Sequence, residues 1–479
     1  MKLRAPTHNS ARFLGLGLAL ALFGNGLNLK AQPGMALVHV SVIDVERGKV
    51  KRDYTVLIEG ERIAKVGRNV RLPPETQIIE ATGKFVIPGL WDMHVHGTAL
   101  PHFAELYIAN GVTGVRDMFS PMDRIESERK AIRSGKPGPR IVAAGRIVDG
   151  PKPYWPGSIA AKDADEGRKA VQTARQEGSD FIKVYSLLPR DAYFAIAQEA
   201  KRQGMAFAGH VPEKVSAAEA SDSGQRSIEH LTGVLSGCST AEQELLCPDE
   251  TIPRLQRMVS QVSRQLETYD EKKAQALFGK FKRNHTWQCP TLTVLHNIAF
   301  LDGGSLSNDS RLRYLPVEAV TYWNPKNDMR FTNAPASFWA NMKQAERKSQ
   351  ELVKKMDKAG VEILAGTDVL NPYCFPGFSL HDELARLVEA GLSPLRALQA
   401  ATLNPAKYLQ REAELGSVEA GKLADLVVLE ANPLEKIHNT TRIAATFANG
   451  VYYDRQALDR LLAEAESGAK AQVNGEESP

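Results

Sequence analysis

The chain has 479 residues, of which 43% are hydrophobic and 24% are charged, as in ordinary globular proteins. This length exceeds what one simple core needs, so we expect one large domain and a smaller one. The formal net charge is +4, but four cations and no acids lie in residues 1–31. The rest of the chain is formally neutral, so no basic surplus points to nucleic acid or an anionic membrane.

The first stretch of the chain predicts an export signal. Lys2, Arg4 and Arg12 precede an apolar run over residues 13–23, which is too short to span a bilayer comfortably. We expect residues 1–31 to be a removable signal peptide, although an uncleaved membrane anchor would have the same layout. The mature protein would then be periplasmic or secreted, without stable membrane association.

The β-rich parts of the chain lie at its two ends. Alternating apolar and polar residues predict strands soon after the signal, and the pattern becomes β-rich again from Leu415. We expect residues 36–84 and 403–453 to fold together as a small composite β-sandwich domain. Residues 454–479 predict a C-terminal helix followed by a disordered tail.

Between these ends, residues 85–402 alternate short apolar runs with helical stretches, which is the pattern of parallel β/α units. The apolar runs are 85–96, 111–118, 140–148, 180–185, 205–211, 226–231, 287–294 and 361–368. Eight such units close a (β/α)8 TIM barrel, whose functional residues lie at the carboxyl ends of the strands. Before the last run, apolar residues recur at helical spacing from Phe338 to Met356, and Gly360 supplies the stop. We therefore predict an α/β fold.

The four cysteines contain no Cys-x-x-Cys metal or redox motif. Cys238 and Cys247 close a short loop, and an exported protein can oxidise such a pair to a disulfide. Two free thiols are the alternative, because sequence spacing does not give the geometry that a disulfide requires.

Side chains able to bind metal stand at the carboxyl ends of five apolar runs. The first run ends in the His-x-His pair His94-Val95-His96, whose imidazoles share one face of an extended strand. Each such residue has an ordinary explanation, as a hydrogen-bonded core histidine or a helix-capping aspartate. Their placement at five strand ends favours one convergent site instead. The candidates are His94, His96, Lys183, His210, His230 and Asp368.

The motifs resemble the amidohydrolase superfamily, in the branch of imidazolonepropionase-like hydrolases that includes metal-dependent Xaa-Pro and Xaa-Arg/Lys dipeptidases. The most specific segments are GLWDMHVH at 89–96, PGFSLHDEL at 376–384 and GSVEAGKLADL at 416–426. The resemblance covers residues 38–453. It implies a (β/α)8 barrel with a β-sandwich made from both chain ends.

The resemblance also implies a centre with two divalent metal ions. One ion would be held by the His-x-His pair and Asp368, and the other by His210 and His230. Lys183 would bridge them after carboxylation by carbon dioxide, because an ammonium group repels a metal whereas a carbamate is an anionic ligand. The alternative is an ordinary Lys183 ammonium, paired with a carboxylate in a one-metal enzyme. Mixed histidine and carboxylate ligands favour Zn²⁺, and manganese, cobalt or iron also fit.

The implied reaction begins when two ions lower the pKa of a shared water and generate hydroxide. The hydroxide attacks an amide carbonyl, His230 helps to stabilise the oxyanion, and Asp368 passes a proton to the leaving nitrogen. The favoured function is therefore hydrolysis of the C–N bond of a dipeptide or an N-acyl amino acid. A one-metal cyclic-amide hydrolase or deaminase, and a catalytically silent binding relative, are the alternatives.

Three further residues are candidates for substrate binding. Tyr185 follows the bridging lysine and has a hydroxyl to offer, although it can equally be buried packing. Arg116 can recognise a carboxylate, or form an internal ion pair with Asp117. His296 follows the seventh run and is a polar candidate for the pocket. We expect the partners to be a small-molecule or short-peptide substrate and further copies of the chain.

Overall fold

The computed structural model describes residues 34–473, apart from residues 248, 250 and 305. The expected signal peptide and the end of the expected C-terminal tail lie outside these residues. Within the described ranges, no helix is both long enough and apolar enough to cross a membrane.

Most strands in the described residues are short. They are β1 (Met35–Asp44), β2 (Lys49–Glu59), β3 (Arg62–Gly67), β4 (Gln77–Glu80), β5 (Phe85–Pro88), β6 (Leu90–Val95), β7 (Val112–Asp117), β8 (Arg140–Ala143), β9 (Ile147–Asp149), β10 (Ile159–Ala160), β11 (Ile182–Val184), β12 (Phe207–Gly209), β13 (Ser227–Glu229), β14 (Trp287–Cys289), β15 (Leu426–Leu429), β16 (Ile443–Ala448) and β17 (Val451–Asp454).

Helices follow most of the central strands. They are α1 (Phe103–Ala109), α2 (Met122–Arg133), α3 (Ala164–Gln176), α4 (Arg190–Arg202), α5 (Ala217–Asp222), α6 (Val234–Gly237), α7 (Glu242–Leu245), α8 (Arg254–Glu267), α9 (Glu271–Arg283), α10 (Leu292–Ala299), α11 (Val317–Tyr322), α12 (Ala336–Ala359), α13 (Phe378–Glu389), α14 (Pro394–Ala400), α15 (Leu403–Tyr408) and α16 (Arg455–Val473).

Both ends of the described chain contribute to one mixed eight-stranded sheet. Its order is β17-β16-β15-β5-β1-β2-β3, and β4 pairs with β1 beside this path. Strand β15 is antiparallel to β5, with Val428 opposite Val86. Alternate residues of these strands meet in a buried apolar cluster that includes Val42, Leu426 and Phe447. The two β-rich parts of the described chain are therefore held together through backbone pairing and a shared core.

The first apolar run, expected as a single strand over 85–96, is divided between two sheets. Strand β5 belongs to the mixed sheet, whereas β6 pairs in parallel with β7. Gly89 separates them, and its amide donates to the Asp425 carbonyl at 2.7 Å. A Cβ at Gly89 would lie 2.0 Å from the Thr113 hydroxyl oxygen, so only glycine fits this crossing.

The central strands form two parallel sheets, with orders β6-β7-β8 and β10-β9-β11-β12-β13-β14. The third run is divided into β8 and β9, and the seventh gives only β14 before α10 begins. The eighth run is not a regular strand, because its ladder is reduced to a parallel bridge between Gln288 and Ile363. These parallel sheets and their helices define an α/β fold.

The eighth run nevertheless lies between β14 and β6 through backbone hydrogen bonds. The Leu364 amide donates to the Gln288 carbonyl at 2.8 Å, and the Met93 amide donates to the Ala365 carbonyl at 2.9 Å. Farther along, the Asp368 amide donates to the His94 carbonyl at 2.7 Å. These bonds bring the end of the eighth run directly beside the end of the first.

The predicted helix before the eighth run is confirmed as α12, and Gly360 ends it in a left-handed conformation with φ 80°. The expected disulfide is not formed, because Cys238 and Cys247 are free cysteines, the first buried and the second exposed.

Candidate metal centre

Four of the six predicted ligands converge on one point. The ligand atoms of His94, His230 and Asp368 all lie within 4.8 Å of one another. One Asp368 oxygen is 3.3 Å from His94 Nε2 and 3.0 Å from His96 Nε2. The other Asp368 oxygen is 3.8 Å from His230 Nε2. Three imidazoles and one carboxylate therefore face a common centre, which is the donor set that zinc and similar ions prefer.

The remaining two predicted ligands lie in the same neighbourhood. The rings of His210 and His230 have centroids 5.0 Å apart, and Lys183 is 1% exposed on β11. A Cβ at Gly209 would lie 3.0 Å from the Lys183 Cδ and 2.2 Å from the Val184 carbonyl oxygen. Because Gly209 lacks a side chain, β12 can approach β11 closely and bring His210 beside Lys183.

The protonation of His94 follows from its hydrogen bond. Its Nδ1 lies 2.8 Å from a Glu229 carboxylate oxygen, and a carboxylate can only accept. The proton is therefore on Nδ1, and Nε2 carries a lone pair. This Nε2 is buried without a hydrogen-bond partner. A buried lone pair that meets no donor fits a bound cation.

His230 has the same arrangement with a different partner. Its Nδ1 lies 2.7 Å from the Thr291 hydroxyl, which itself donates to the Pro290 carbonyl at 2.8 Å. The Thr291 oxygen therefore accepts from His230 Nδ1, and the lone pair on Nε2 points toward Asp368. The expected role of His230 in stabilising an oxyanion requires a proton on Nε2, so this tautomer favours its role as a ligand.

His210 is held from two sides. Its Nδ1 lies 2.8 Å from the Ser186 hydroxyl, and its ring stacks on the ring of Tyr185 at 4.0 Å. The Tyr185 hydroxyl accepts a hydrogen bond from Trp155 Nε1 at 2.9 Å. Tyr185 thus packs against a predicted ligand, while its polar end reaches the loop after β9.

The charges at the centre set the protonation states of its groups. Burial alone would raise the pKa of Asp368, but His230 and His96 hold it well below its ordinary value. Burial lowers the pKa of His230 to about 4 and that of His94 well below the ordinary value. At neutral pH His94 and His230 are therefore neutral and Asp368 is ionised, the forms that bind metal.

Lys183 is also perturbed. Burial lowers its pKa to about 8, although the charges of Glu229 and Asp368 raise it. A larger fraction of the amine is therefore neutral near pH 7 than in an exposed lysine.

Backbone strain coincides with the ligands. His230 and Asp368 have φ values of 58° and 61°, and Thr291 behind His230 has φ 50°. Residues with a Cβ rarely adopt this left-handed region, and such strain persists only where the surrounding contacts enforce it.

Arg116 does not lie in an open pocket. It is fully buried and donates to both Glu229 oxygens at 2.9 Å, as well as to the Met93 carbonyl at 2.6 Å. The expected ion pair with Asp117 is replaced by this contact, and Asp117 instead accepts from the amide and hydroxyl of Thr98. Because protein acceptors occupy its guanidinium, Arg116 is not available as a receptor for a substrate carboxylate.

His296 contacts α12. Its Nδ1 lies 3.4 Å from a Glu346 oxygen, and its ring packs against Phe300 with centroids 4.5 Å apart. These contacts explain its position on α10 without a substrate.

Sequence reasoning missed the groups that support the ligands. Asp92 accepts from the Thr367 hydroxyl at 2.6 Å and from the His94 amide at 3.2 Å, joining the first and eighth runs. Glu383 accepts from the Leu292 and Thr293 amides at the start of α10. Buried acids inside apolar stretches were the available signal, because such residues are almost never buried without partners.

An arginine from the long segment before α12 also reaches the site. The Arg330 guanidinium lies 5.7 Å from the Trp155 ring centroid and donates to the Asn371 side-chain oxygen at 2.6 Å. Its charge is balanced by a bidentate pair with Asp328. Segments far apart in sequence therefore meet at the rim of the centre.

Comparison with known proteins agrees with this fold. The profile of the amidohydrolase family matches residues 85–452. The ochratoxinase of Aspergillus niger is 23% identical, with 84% of this chain and 82% of that protein covered. The imidazolonepropionase of Symbiobacterium thermophilum is 39% identical over 77 residues, covering 16% of this chain and 18% of that protein. A solved Xaa-Pro dipeptidase with bound methionine has a TM-score of 0.65 and 22% identity, covering 88% of this chain and 100% of that one.

The chain belongs to the amidohydrolase family, a class of generally metal-dependent hydrolases that act on amide bonds. The resemblance predicted from the motifs is thereby confirmed. An imidazolonepropionase is similar to it in sequence, and a Xaa-Pro dipeptidase is similar to it in fold.

Proposed function

We propose that this protein is a hydrolase with two divalent metal ions that cleaves the amide bond of a dipeptide or an N-acyl amino acid. The observation that carries the proposal is the convergence of His94, His230 and Asp368 within 4.8 Å. His96 contacts Asp368, the His210 ring lies against that of His230, and Lys183 is buried, which also supports the proposal.

The residues divide into two positions that share Lys183. His94, His96 and Asp368 would hold one ion, and His210 with His230 would hold the other. Burial of Lys183 supports its role as a bridge, because carbon dioxide reacts only with a neutral amine and the pKa of this amine is lowered to about 8. A one-metal deaminase has no comparable need for a lysine buried inside the ligand set.

When bound, the two ions would act as Lewis acids and lower the pKa of a nearby water. Asp368 remains ionised at neutral pH, so its carboxylate can accept a proton from water and deliver it to the leaving nitrogen. His94 and His230 stay neutral and hold their Nε2 lone pairs toward the centre. The hydrogen bonds to Nδ1 keep both rings in that orientation during the reaction.

The substrate class is supported by the relatives. The similar solved structure is described as a Xaa-Pro dipeptidase, and the Aspergillus niger relative is an ochratoxinase. At the rim, Trp155 contacts both Tyr185 and Arg330, which come from separate segments.

We further infer that the parallel sheets close into a (β/α)8 barrel and that the mixed sheet is a composite β-sandwich. The run 361–365 bonds to both β14 and β6, which supports closure on one side. The Asp180 amide donates to the Ala143 carbonyl at 2.9 Å, which connects β8 to the segment entering β11.

Export is also a proposal, and it rests on the sequence of residues 1–31 alone. N-terminal sequencing of protein recovered from the periplasm or the medium would test it. A mature chain that still begins at Met1 would argue against cleavage.

The decisive experiment for the function is a metal count combined with a substrate screen. Purified protein loaded with Zn²⁺ should contain two ions per chain and should release amino acids from members of a dipeptide and N-acyl amino acid library. One ion per chain would contradict the two-metal proposal. Two ions without activity on any member would contradict the substrate class.

Substitution of the bridge tests the same proposal at one residue. Lys183→Ala should retain one ion and lose roughly a hundredfold or more in activity, because the second ion loses its shared ligand. Short carboxylic acids should restore part of the activity by occupying the vacated position. A variant with two ions and full activity would show that Lys183 is not a bridge.

A further inference from the structure

The predicted histidine ligands differ in the group that is hydrogen-bonded to Nδ1. The Nδ1 atom of His94 has a carboxylate partner, Glu229 at 2.8 Å. His210 and His230 have hydroxyl partners at 2.8 and 2.7 Å. We call the position formed by His94, His96 and Asp368 the carboxylate-backed side, and the position formed by His210 and His230 the hydroxyl-backed side.

The Glu229 carboxylate is fully satisfied by protein groups. One oxygen accepts from Arg116 at 2.9 Å and from the Ser227 hydroxyl at 2.5 Å. The other oxygen accepts from Arg116 at 2.9 Å and from His94. Tyr408 holds Arg116 in turn, with its hydroxyl 2.7 Å from the guanidinium. These hydrogen bonds hold the Glu229 carboxylate in one orientation, and the carboxylate in turn orients the His94 ring.

Burial makes the arrangement electrostatically strong. The side chains of His94, Glu229 and Arg116 are all 0% exposed. The positive charge of Arg116 balances Glu229, so the pair presents no net charge to the centre. The carboxylate still accepts the Nδ1 proton and makes Nε2 a better donor to a cation.

A competing interpretation is that Glu229 is itself a metal ligand. Ligand atoms of His94, Glu229 and Cys289 lie within 4.8 Å of one another. Both Glu229 oxygens are already bonded to the Arg116 cation, which repels a second cation at that place. His94 would also have to shed the Nδ1 proton. The contacts therefore favour a supporting role over a third metal position.

We propose that Glu229, held by Arg116, is the positioning residue for His94 and raises metal affinity on the carboxylate-backed side. The inference rests on the proposed metal centre. On the hydroxyl-backed side, the hydrogen bonds to Ser186 and Thr291 polarise the ligand imidazoles less, because a neutral hydroxyl is a weaker acceptor than a carboxylate.

The test measures metal affinity directly. Metal-free wild type and Glu229→Gln are titrated with Zn²⁺ in competition with a chromophoric chelator that resolves the two binding events. Glu229→Gln should weaken one event roughly ten- to hundredfold, because the amide lacks the charge that polarises His94. Ser186→Ala is the matched control, since it removes the Nδ1 partner of His210, and it should weaken the other event.

The outcomes separate the inference from the function on which it rests. If wild type binds two ions and Glu229→Gln binds both as tightly, the positioning role is wrong and the metal centre stands. The role is also wrong if Glu229→Gln and Ser186→Ala weaken the same event. If wild type binds no ion, the proposed function and the inference both fail.

A second variant and a spectroscopic measurement distinguish a loss of metal affinity from a loss of folded protein. Glu229→Gln leaves Arg116 buried without its counter-ion, so the double variant Arg116→Met/Glu229→Gln removes both charges together. Melting temperature establishes that each protein is folded. The visible absorption of the Co²⁺-loaded double variant should shift from that of wild type, since the His94 donor is altered. An unchanged spectrum with unchanged affinity would overturn the proposal.

Discussion

The two sides of the proposed metal centre use the same kind of ligand, histidine, but hold it with different hydrogen-bond partners. On the carboxylate-backed side, His94 is held by an ion pair that is 0% exposed. On the hydroxyl-backed side, His210 and His230 are held by neutral hydroxyls, and His230 remains 14% exposed. The donor strength of a histidine Nε2 therefore depends on the partner of Nδ1 as well as on the position of the residue at a strand end.

The two kinds of hydrogen-bond partner also differ in the free energy that their burial requires. Burying the Glu229–Arg116 pair requires desolvation of two charges, which their attraction offsets only with good geometry and full hydrogen bonding. A hydroxyl–imidazole bond needs no such compensation. The comparison suggests that the buried ion pair is retained for the orientation and donor strength of His94 rather than for stability.

The largest expected effect is on catalysis and concerns Asp368, which contacts both sides. Asp368→Asn should reduce kcat by about 10²- to 10⁴-fold, because the amide cannot accept and return a proton. Steady-state kinetics on Zn²⁺-loaded protein, with the metal content measured in parallel, checks this. A variant with full metal content and nearly unchanged kcat would remove Asp368 from proton transfer.

The next effect is on stability and concerns the carboxylate-backed side. Arg116→Met should lower the free energy of unfolding by about 3–5 kcal/mol, because Glu229 would remain buried without its counter-ion. Urea unfolding followed by circular dichroism measures it. Arg168→Met is the control, since its partner Asp165 is 90% exposed and such surface pairs contribute about 0–1 kcal/mol. Equal losses in the two variants would contradict the account of the buried pair.

The third effect depends on pH and concerns the hydroxyl-backed side. Burial raises the pKa of Glu383, which holds the start of α10 beside Thr291, from 4.5 to about 7. Between these values the folded state keeps a proton that the unfolded state has lost. The free energy of unfolding should therefore fall as pH rises through this window, by up to about 3 kcal/mol, and level off above it.

Glu383→Gln isolates this contribution, because glutamine does not ionise. The stability of wild type relative to Glu383→Gln should decrease between pH 4.5 and pH 7, as measured by urea unfolding at several pH values. Other titrating groups contribute equally to both proteins and cancel in the difference. A difference that rises with pH would mean that the hydrogen bonds to Glu383 outweigh its burial.

Much of the site was predictable because strand ends in parallel β/α units point to one place. The proximity of His94, His96, His230 and Asp368 follows from that rule. The helix α12 follows from its apolar period and from Gly360. The rule does not predict that the first run is divided into two strands at Gly89. That break depends on close contact with Thr113, which is distant along the chain.

The amino-acid sequence by itself determined the family and the order of the candidate ligands along the chain. Only the tertiary structure decided which group supports each ligand. Arg116 has Asp117 as its neighbour in sequence but pairs with Glu229, since adjacent strand residues point to opposite faces. His94 likewise meets its carboxylate partner 135 residues away. Partners of buried charges are chosen by proximity in space, which local pattern does not encode.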